Sequence, residues 1–273
     1  MPGLSASTAV EWIARRERAV VLAGLAVTII LAWGWLLAGG GMEMGGGPGA
    51  SMNMSGMEMP GMDGGHRGSG IWSGPVVVFA MWTVMMMAMM LPSAAPTILV
   101  FAALSRSRAS TAAFPPTAIF AAGYVFVWTA FSAVATTAHL GLQRTALVSP
   151  TLRATSGILA AVLLIAAGVY QFTPLKAACL RHCRSPIQFF TRHWRPGTVG
   201  ALRLGVLHGG YCVGCCWVLM GLLFVGGVMN LWWVAALAVF ILVEKTAFLG
   251  AWSGRMVSGT GLVLAGAVAL IAK

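Results

Sequence analysis

All 5 cysteines fall between residues 179 and 216, in two groups: Cys179-Leu180-Arg181-His182-Cys183, and His208-Gly209-Gly210-Tyr211-Cys212-Val213-Gly214-Cys215-Cys216. Residues four apart on a helix lie one above the other, so Cys179 and Cys183 make a pair with His182 beside them. If the second group is helical, His208, Cys212, Cys215 and Cys216 share a stripe about 100° wide, and Gly210, Gly214 and Gly221 line the opposite side. Thiolates and imidazoles so spaced are the donors of a closed site for Cu(I), Zn²⁺ or an iron-sulfur centre. Small apolar filling, the ordinary role of a buried cysteine, explains neither the pairing nor the neighbouring histidines. The expectation is one site built from Cys179, Cys183, Cys212 and Cys216, with Cys215 alongside and His182 or His208 nearby. The Gly210-x-x-x-Gly214 pair is expected to let a second helix approach closely. Cys212-Val213-Gly214-Cys215 is also a C-x-x-C, a pair able to exchange disulfides, so a membrane thiol oxidoreductase is the rival reading.

A second set of soft donors lies upstream. Of the 17 methionines, 13 lie between Met42 and Met90. The stretch 39–74 reads as a flexible Met- and Gly-rich arm, carrying Met42, Met44, Met52, Met54, Met57, Met59 and Met62, then His66. A thioether is an apolar choice for a solvated linker, and thioethers suit Cu(I). Met52, Met54, Met57, Met59, Met62 and His66 are therefore read as an outer capture site. Hard cations would want carboxylates, and the arm offers only Glu43, Glu58 and Asp63. Met81, Met85 and Met89 recur every four residues and share a helix face, either as a packing or lipid-facing stripe or as a relay passing a soft ion inward.

These residues need elements to hold them. The chain of 273 residues is 59% hydrophobic and 8% charged, against about 25% charged in soluble domains, so its solvent is a lipid bilayer. The net charge of +11 does not indicate nucleic acid, because the basic residues sit between apolar runs and not on an exposed polar face. Runs of about 20 apolar residues place seven spans at 19–38, 75–102, 117–138, 156–173, 203–226, 231–250 and 256–272. The fold class is thus an all-α integral membrane protein, a polytopic bundle of about seven transmembrane helices. Residues 1–38 form a basic segment and first membrane helix, 39–74 a periplasmic arm, and 75–273 a six-helix bundle with a basic Cys/His cytoplasmic loop at 174–202. Basic residues fall in alternate loops: Arg15 to Arg18, Arg106 and Arg108, Lys176 through Arg203, and Arg255. By the positive-inside rule these are cytoplasmic, with the N-terminus inside a bacterial inner membrane and the arm outside. Pro92 and Pro96 are expected to kink the second span or end it early.

Glu244 and Lys245 interrupt the sixth span. The simplest expectation is that the helix ends near residue 243 and both snorkel to the cytoplasmic surface; otherwise Glu244 relays a proton or neutralises a bound cation. His139 is expected at the outer interface. Only His139 and His208 lie in or beside the spans, near opposite faces, which leaves no pair of axial haem ligands. No nucleotide-binding glycine loop, hydrolase elbow or H-E-x-x-H helix is present, and enzyme activity is not indicated.

Three motifs carry a resemblance: Trp82-Thr83-Val84-Met85-Met86-x-Ala88-Met89-Met90-x-Pro92; Cys179-x-x-His182-Cys183-x-x-Pro186; and Gly205-x-x-x-Gly209-x-x-Cys212-x-Gly214-Cys215-Cys216-Trp217-x-Leu219-Met220. From about residue 72 to 250 the sequence resembles a bacterial family of integral membrane proteins, catalogued as a domain of unknown function and described as predicted metal-binding. The resemblance implies metal binding in the inner membrane. The methionine arm is not part of that pattern, so copper is read from this sequence, with Cu(I) as first candidate and zinc as second. The expected role is metal transfer, transport or delivery to a membrane or periplasmic metalloprotein partner. A non-catalytic subunit of a membrane enzyme complex is the remaining alternative.

Overall fold

A computed structural model describes residues 6–38, 74–108, 114–145, 156–228, 230–246 and 251–271. The described residues are helical: α1 (Ala6–Leu37), α2 (Pro75–Arg108), α3 (Phe114–Arg144), α4 (Gly157–Phe172), α5 (Pro174–Arg184), α6 (Pro186–His193), α7 (Gly197–Gly221), α8 (Leu223–Gly226), α9 (Leu231–Thr246) and α10 (Ala251–Ile271). Five are long and apolar enough to cross a bilayer, over Ala19–Leu37, Pro75–Ser107, Pro116–Arg144, Gly197–Gly226 and Ser253–Ile271. The expected span at 156–173 is α4, which at 16 residues reaches spanning length only together with α5, across a bend of 68°. Thr173 is extended because Pro174 follows it, and its hydroxyl accepts from the Lys176 amide at 3.3 Å to start α5. Taken as one span, the bent pair makes six. The described part of the expected 231–250 span is 16 residues long, about 24 Å of helix at 1.5 Å per residue, short of the roughly 30 Å hydrocarbon core. The stretch 174–202, read as a loop, is built from α5, α6 and the first turns of α7.

The helices pack as a chain of neighbours, α1 on α2, α2 on α3 and α9, α3 on α7, α7 on α5, and α10 on α4. α2 and α7 are the most enclosed spans; on α2, Met81, Met85, Met86, Met89 and Met90 are all buried, so the Met81-Met85-Met89 stripe faces protein and not lipid. Apolar residues such as Ile30, Phe126, Val162, Val239 and Val268 face outward, as lipid contact requires.

α2 continues through Pro92 and Pro96 to Arg108, so it does not end early. Pro92 has no amide hydrogen for the Ala88 carbonyl, and the indole of Trp33 on α1 donates to that carbonyl at 3.2 Å. The orphaned acceptor is satisfied by a neighbouring helix, the usual repair for a proline inside a membrane span.

The glycine expectation needs correcting. The close α3–α7 approach uses Gly205 and Gly209, where a methyl would strike the Phe120 carbonyl and the Val127 side chain, together with Gly123, whose added Cβ would lie 2.6 Å from the Leu202 carbonyl oxygen. Gly210 has open space around it and Gly214 meets Cys179 of α5. Both glycine pairs have the same spacing, and the register of α7 against α3 selects the earlier one.

Candidate metal centre

The stripe read on α7 is present and turned into the bundle: His208, Cys212, Cys215 and Cys216 are all buried. Cys215 and Cys216 each bond through Sγ to the Cys212 carbonyl, at 3.0 and 2.9 Å. These contacts, made back onto the previous turn, fix both sulfurs on the same side as Cys212. α5 lies across this face. Its Cys183 is close enough to interact with the thiols of Cys212 and Cys215, and Cys179 seats its sulfur over Gly214, where a Cβ would come within 2.8 Å of it. The two cysteine groups thus meet along one helix interface, and all five cysteines are free thiols.

Three further elements complete the surroundings. From α2, the Met90 thioether lies 4.0 Å from Cys216 Sγ. From α9, the Lys245 ammonium donates to Cys212 Sγ at 2.9 Å and to Ser93 Oγ at 3.0 Å. From α3, the Tyr124 hydroxyl stands 3.1 Å from Cys212 Sγ and donates to the Met90 carbonyl at 3.2 Å. Ser93 donates to the same carbonyl at 2.9 Å. Lys245, Cys212, Tyr124, Met90 and Ser93 therefore form a ring of polar contacts that closes on itself, tying α2, α3, α7 and α9 together. Lys245 is only 8% exposed, which overturns the expectation that it snorkels to the surface: α9 runs on to Thr246 and the ammonium turns inward because Cys212 and Ser93 accept from it. Glu244, on another side of the helix, pairs with fully buried Lys176 at 2.8 Å.

A profile of the PpoB2 family, described as copper chaperones, matches residues 79–270. The chain belongs to the PpoB2 copper chaperone family. This gives the chain a copper-related role and makes copper the expected cargo. Neither a curated protein nor a solved structure matches the chain. The PpoB2 region takes in α2 from Phe79 onward and every later helix, so Met90, Tyr124, the five cysteines and Lys245 all lie inside it, while α1 and the methionine arm lie outside.

Copper chemistry can be tested against the donors this PpoB2 chain assembles. Among the described residues, no group of three or more His, Cys, Asp and Glu is set to hold a metal ion. Methionine adds a further soft donor, the Met90 thioether lying 4.0 Å from Cys216 Sγ. With metal–sulfur bonds of about 2.3 Å, sulfurs 4.0 Å apart subtend about 120° at a shared ion, the angle of a three-coordinate centre. Thiolate and thioether are soft donors of the kind that suit copper.

The other expected ligands are dispersed. His208 sits one turn before Cys212, stacked near Tyr124 with centroids 5.7 Å apart, and its Nδ1 has no partner among the described residues. His182 stacks flat on Tyr211 of α7, with centroids 4.1 Å apart and Nδ1 donating to the Ala178 carbonyl at 2.9 Å. His139 is buried and accepts from the Trp82 indole at 3.1 Å, so it is a packed residue and not an interfacial one. Met52, Met54, Met57, Met59, Met62 and His66 lie outside the described residues. Met90, Tyr124, Ser93 and Lys245 were absent from the sequence reading of the site; the signal available was Met86-Met90, a second i, i+4 methionine pair one position along from the one chosen.

Proposed function

We propose that this chain carries Cu(I) on an intramembrane sulfur centre of Cys212, Cys216 and Met90, with Cys183, Cys215 and the unpartnered Nδ1 of His208 available for exchange, and passes it to a metalloprotein partner. The observation that carries this reading is the Lys245 ammonium against Cys212, next to the Cys216–Met90 pair. Two thiolates, one Cu(I) and one ammonium sum to zero charge. Zn²⁺ in the same donors would leave a positive charge in a medium where uncompensated charge costs several kcal/mol. The donor types and the charge count thus both favour Cu(I) over zinc.

On this proposal the basic stretch around α5 and α6 faces the cytoplasm and the methionine arm faces the other side of a bacterial inner membrane. Met81, Met85 and Met89 then run along α2 between the arm and Met90. Transfer by direct exchange between sulfurs keeps the ion bound at every step, and the thiols stay reduced throughout.

The test is a competitive Cu(I) titration of the full chain against a chromophoric chelator, with X-ray absorption of the loaded protein. The wild type should show short sulfur scattering at three-coordination, and Cys212→Ser, Cys216→Ser and Met90→Leu should each weaken binding. Wild-type affinity in all three variants would remove the centre from these residues.

A further inference from the structure

Where α5 meets α6, an open cavity of about 200 Å³ is lined by half-buried His182, buried Phe189 and the exposed side chains of Arg181, Ser185, Gln188 and Arg192. Drug-sized ligands occupy about 300–1,000 Å³, so this space suits a small group. Five of the six lining side chains are polar, two of them are guanidiniums, and none is acidic. Among the described residues no carboxylate pairs with Arg181 or Arg192, since the ion pair present joins Lys176 to Glu244. Guanidinium forks match carboxylate and phosphate oxygens.

The local chain geometry adds donors. Ser185 is the N-cap of α6 and its side chain makes no capping bond, which leaves the hydroxyl free for a ligand. Gln188 stands in the first turn of the same helix, where backbone amides and the helix dipole favour negative charge. His182 has spent Nδ1 on the Ala178 carbonyl, so its Nε2 edge is the one left over. Phe189 is buried and closes the base of the space.

We infer that this cavity is an oxyanion site, taking a carboxylate or phosphate group between Arg181 and Arg192. Its position gives the anion a use that rests on the proposed copper role. His182 stacks on Tyr211, the neighbour of Cys212, and is itself followed by Cys183, which faces Cys212 and Cys215. A soluble acidic copper carrier that docks here meets α5 at His182, the residue before Cys183. A phospholipid headgroup offers the same oxygen chemistry and is the other source.

The test is residue-resolved arginine modification by phenylglyoxal, read by peptide mass spectrometry, on the full chain in nanodiscs. In zwitterionic lipid, inorganic phosphate at ten times its dissociation constant should slow modification of Arg181 and Arg192 about tenfold, leaving exposed Arg195 and Arg203 unchanged. Protection by phosphate assigns the site to a soluble anion; protection appearing only when phosphatidylglycerol replaces the zwitterionic lipid assigns it to a headgroup. In Arg192→Gln the protection of Arg181 should be lost, while Cu(I) affinity of the sulfur centre is unchanged. Equal rates at Arg181 and Arg192 under every condition, or equal protection of Arg195 and Arg203, would overturn the oxyanion site. Neither result bears on the cysteines, whose role stands or falls on the Cu(I) titration.

Discussion

Replacing Lys245 by methionine separates the copper role of that residue from its structural one, because only the first needs the positive charge. The ammonium lies 2.9 Å from Cys212 Sγ, and the negative charge of a two-thiolate Cu(I) centre is spread over atoms about 4 Å from it. At an effective dielectric constant of 20, unit charges at that separation attract by about 4 kcal/mol, so removing the ammonium should weaken Cu(I) binding by about 100- to 1,000-fold. Folding stability should not follow. In the metal-free variant Tyr124 remains beside Cys212 and Ser93 still bonds to the Met90 carbonyl, and a cysteine that loses its buried cation takes up a proton, so no uncompensated buried charge is left. The assay is a chelator competition for Cu(I) alongside thermal unfolding of the metal-free protein. Cu(I) affinity within about threefold of wild type, in a variant whose unfolding temperature is unchanged, would show that the ammonium is no counter-charge and that the charge argument for copper over zinc is wrong.

Gly205→Ala should destabilise by about 1–3 kcal/mol, seen as a lower unfolding temperature, since the methyl meets the Phe120 backbone where neither helix can retreat. Gly210→Ala, with open space around it, should leave that temperature unchanged. Reporter fusions after Ser69 and after Pro196 should give opposite signals, and equal signals would remove any scheme that uses two sides of a membrane. Changing Met52, Met54, Met57, Met59 and Met62 to Leu should lower Cu(I) uptake into vesicles while the thiols stay reduced. Uptake at the wild-type rate together with cycling of Cys212 and Cys215 through a disulfide would replace the copper reading by the oxidoreductase one.

What the sequence revealed of the site depended on whether a single helix could reveal it. The stripe from His208 to Cys216 is a matter of period alone and lies where it was expected. Met90 and Lys245 depend on how α2 and α9 register against α7, and no local pattern encodes that register. Lys245 in particular reads as a surface residue because a lysine near a span end normally reaches water; the acceptors that draw it inward come from helices 152 and 33 residues away in sequence. His139 was misplaced for the same reason, its partner Trp82 being on another helix. The seven spans were counted by apolar length, which cannot see that Pro174 turns the chain through 68°.

The indole of Trp33 against the Ala88 carbonyl places a constraint on how this sequence can change. Pro92 lies inside the region shared with the copper chaperone family and Trp33 lies outside it, yet the cost of the proline is met by the tryptophan. The two positions are therefore coupled in mutational order. Losing Trp33 first exposes an unpaired carbonyl beside the methionines of α2, whereas losing Pro92 first supplies an amide to that carbonyl and leaves Trp33 free to vary. The accessible path runs through the proline, and α1 is held in place by a defect in the helix that carries Met90.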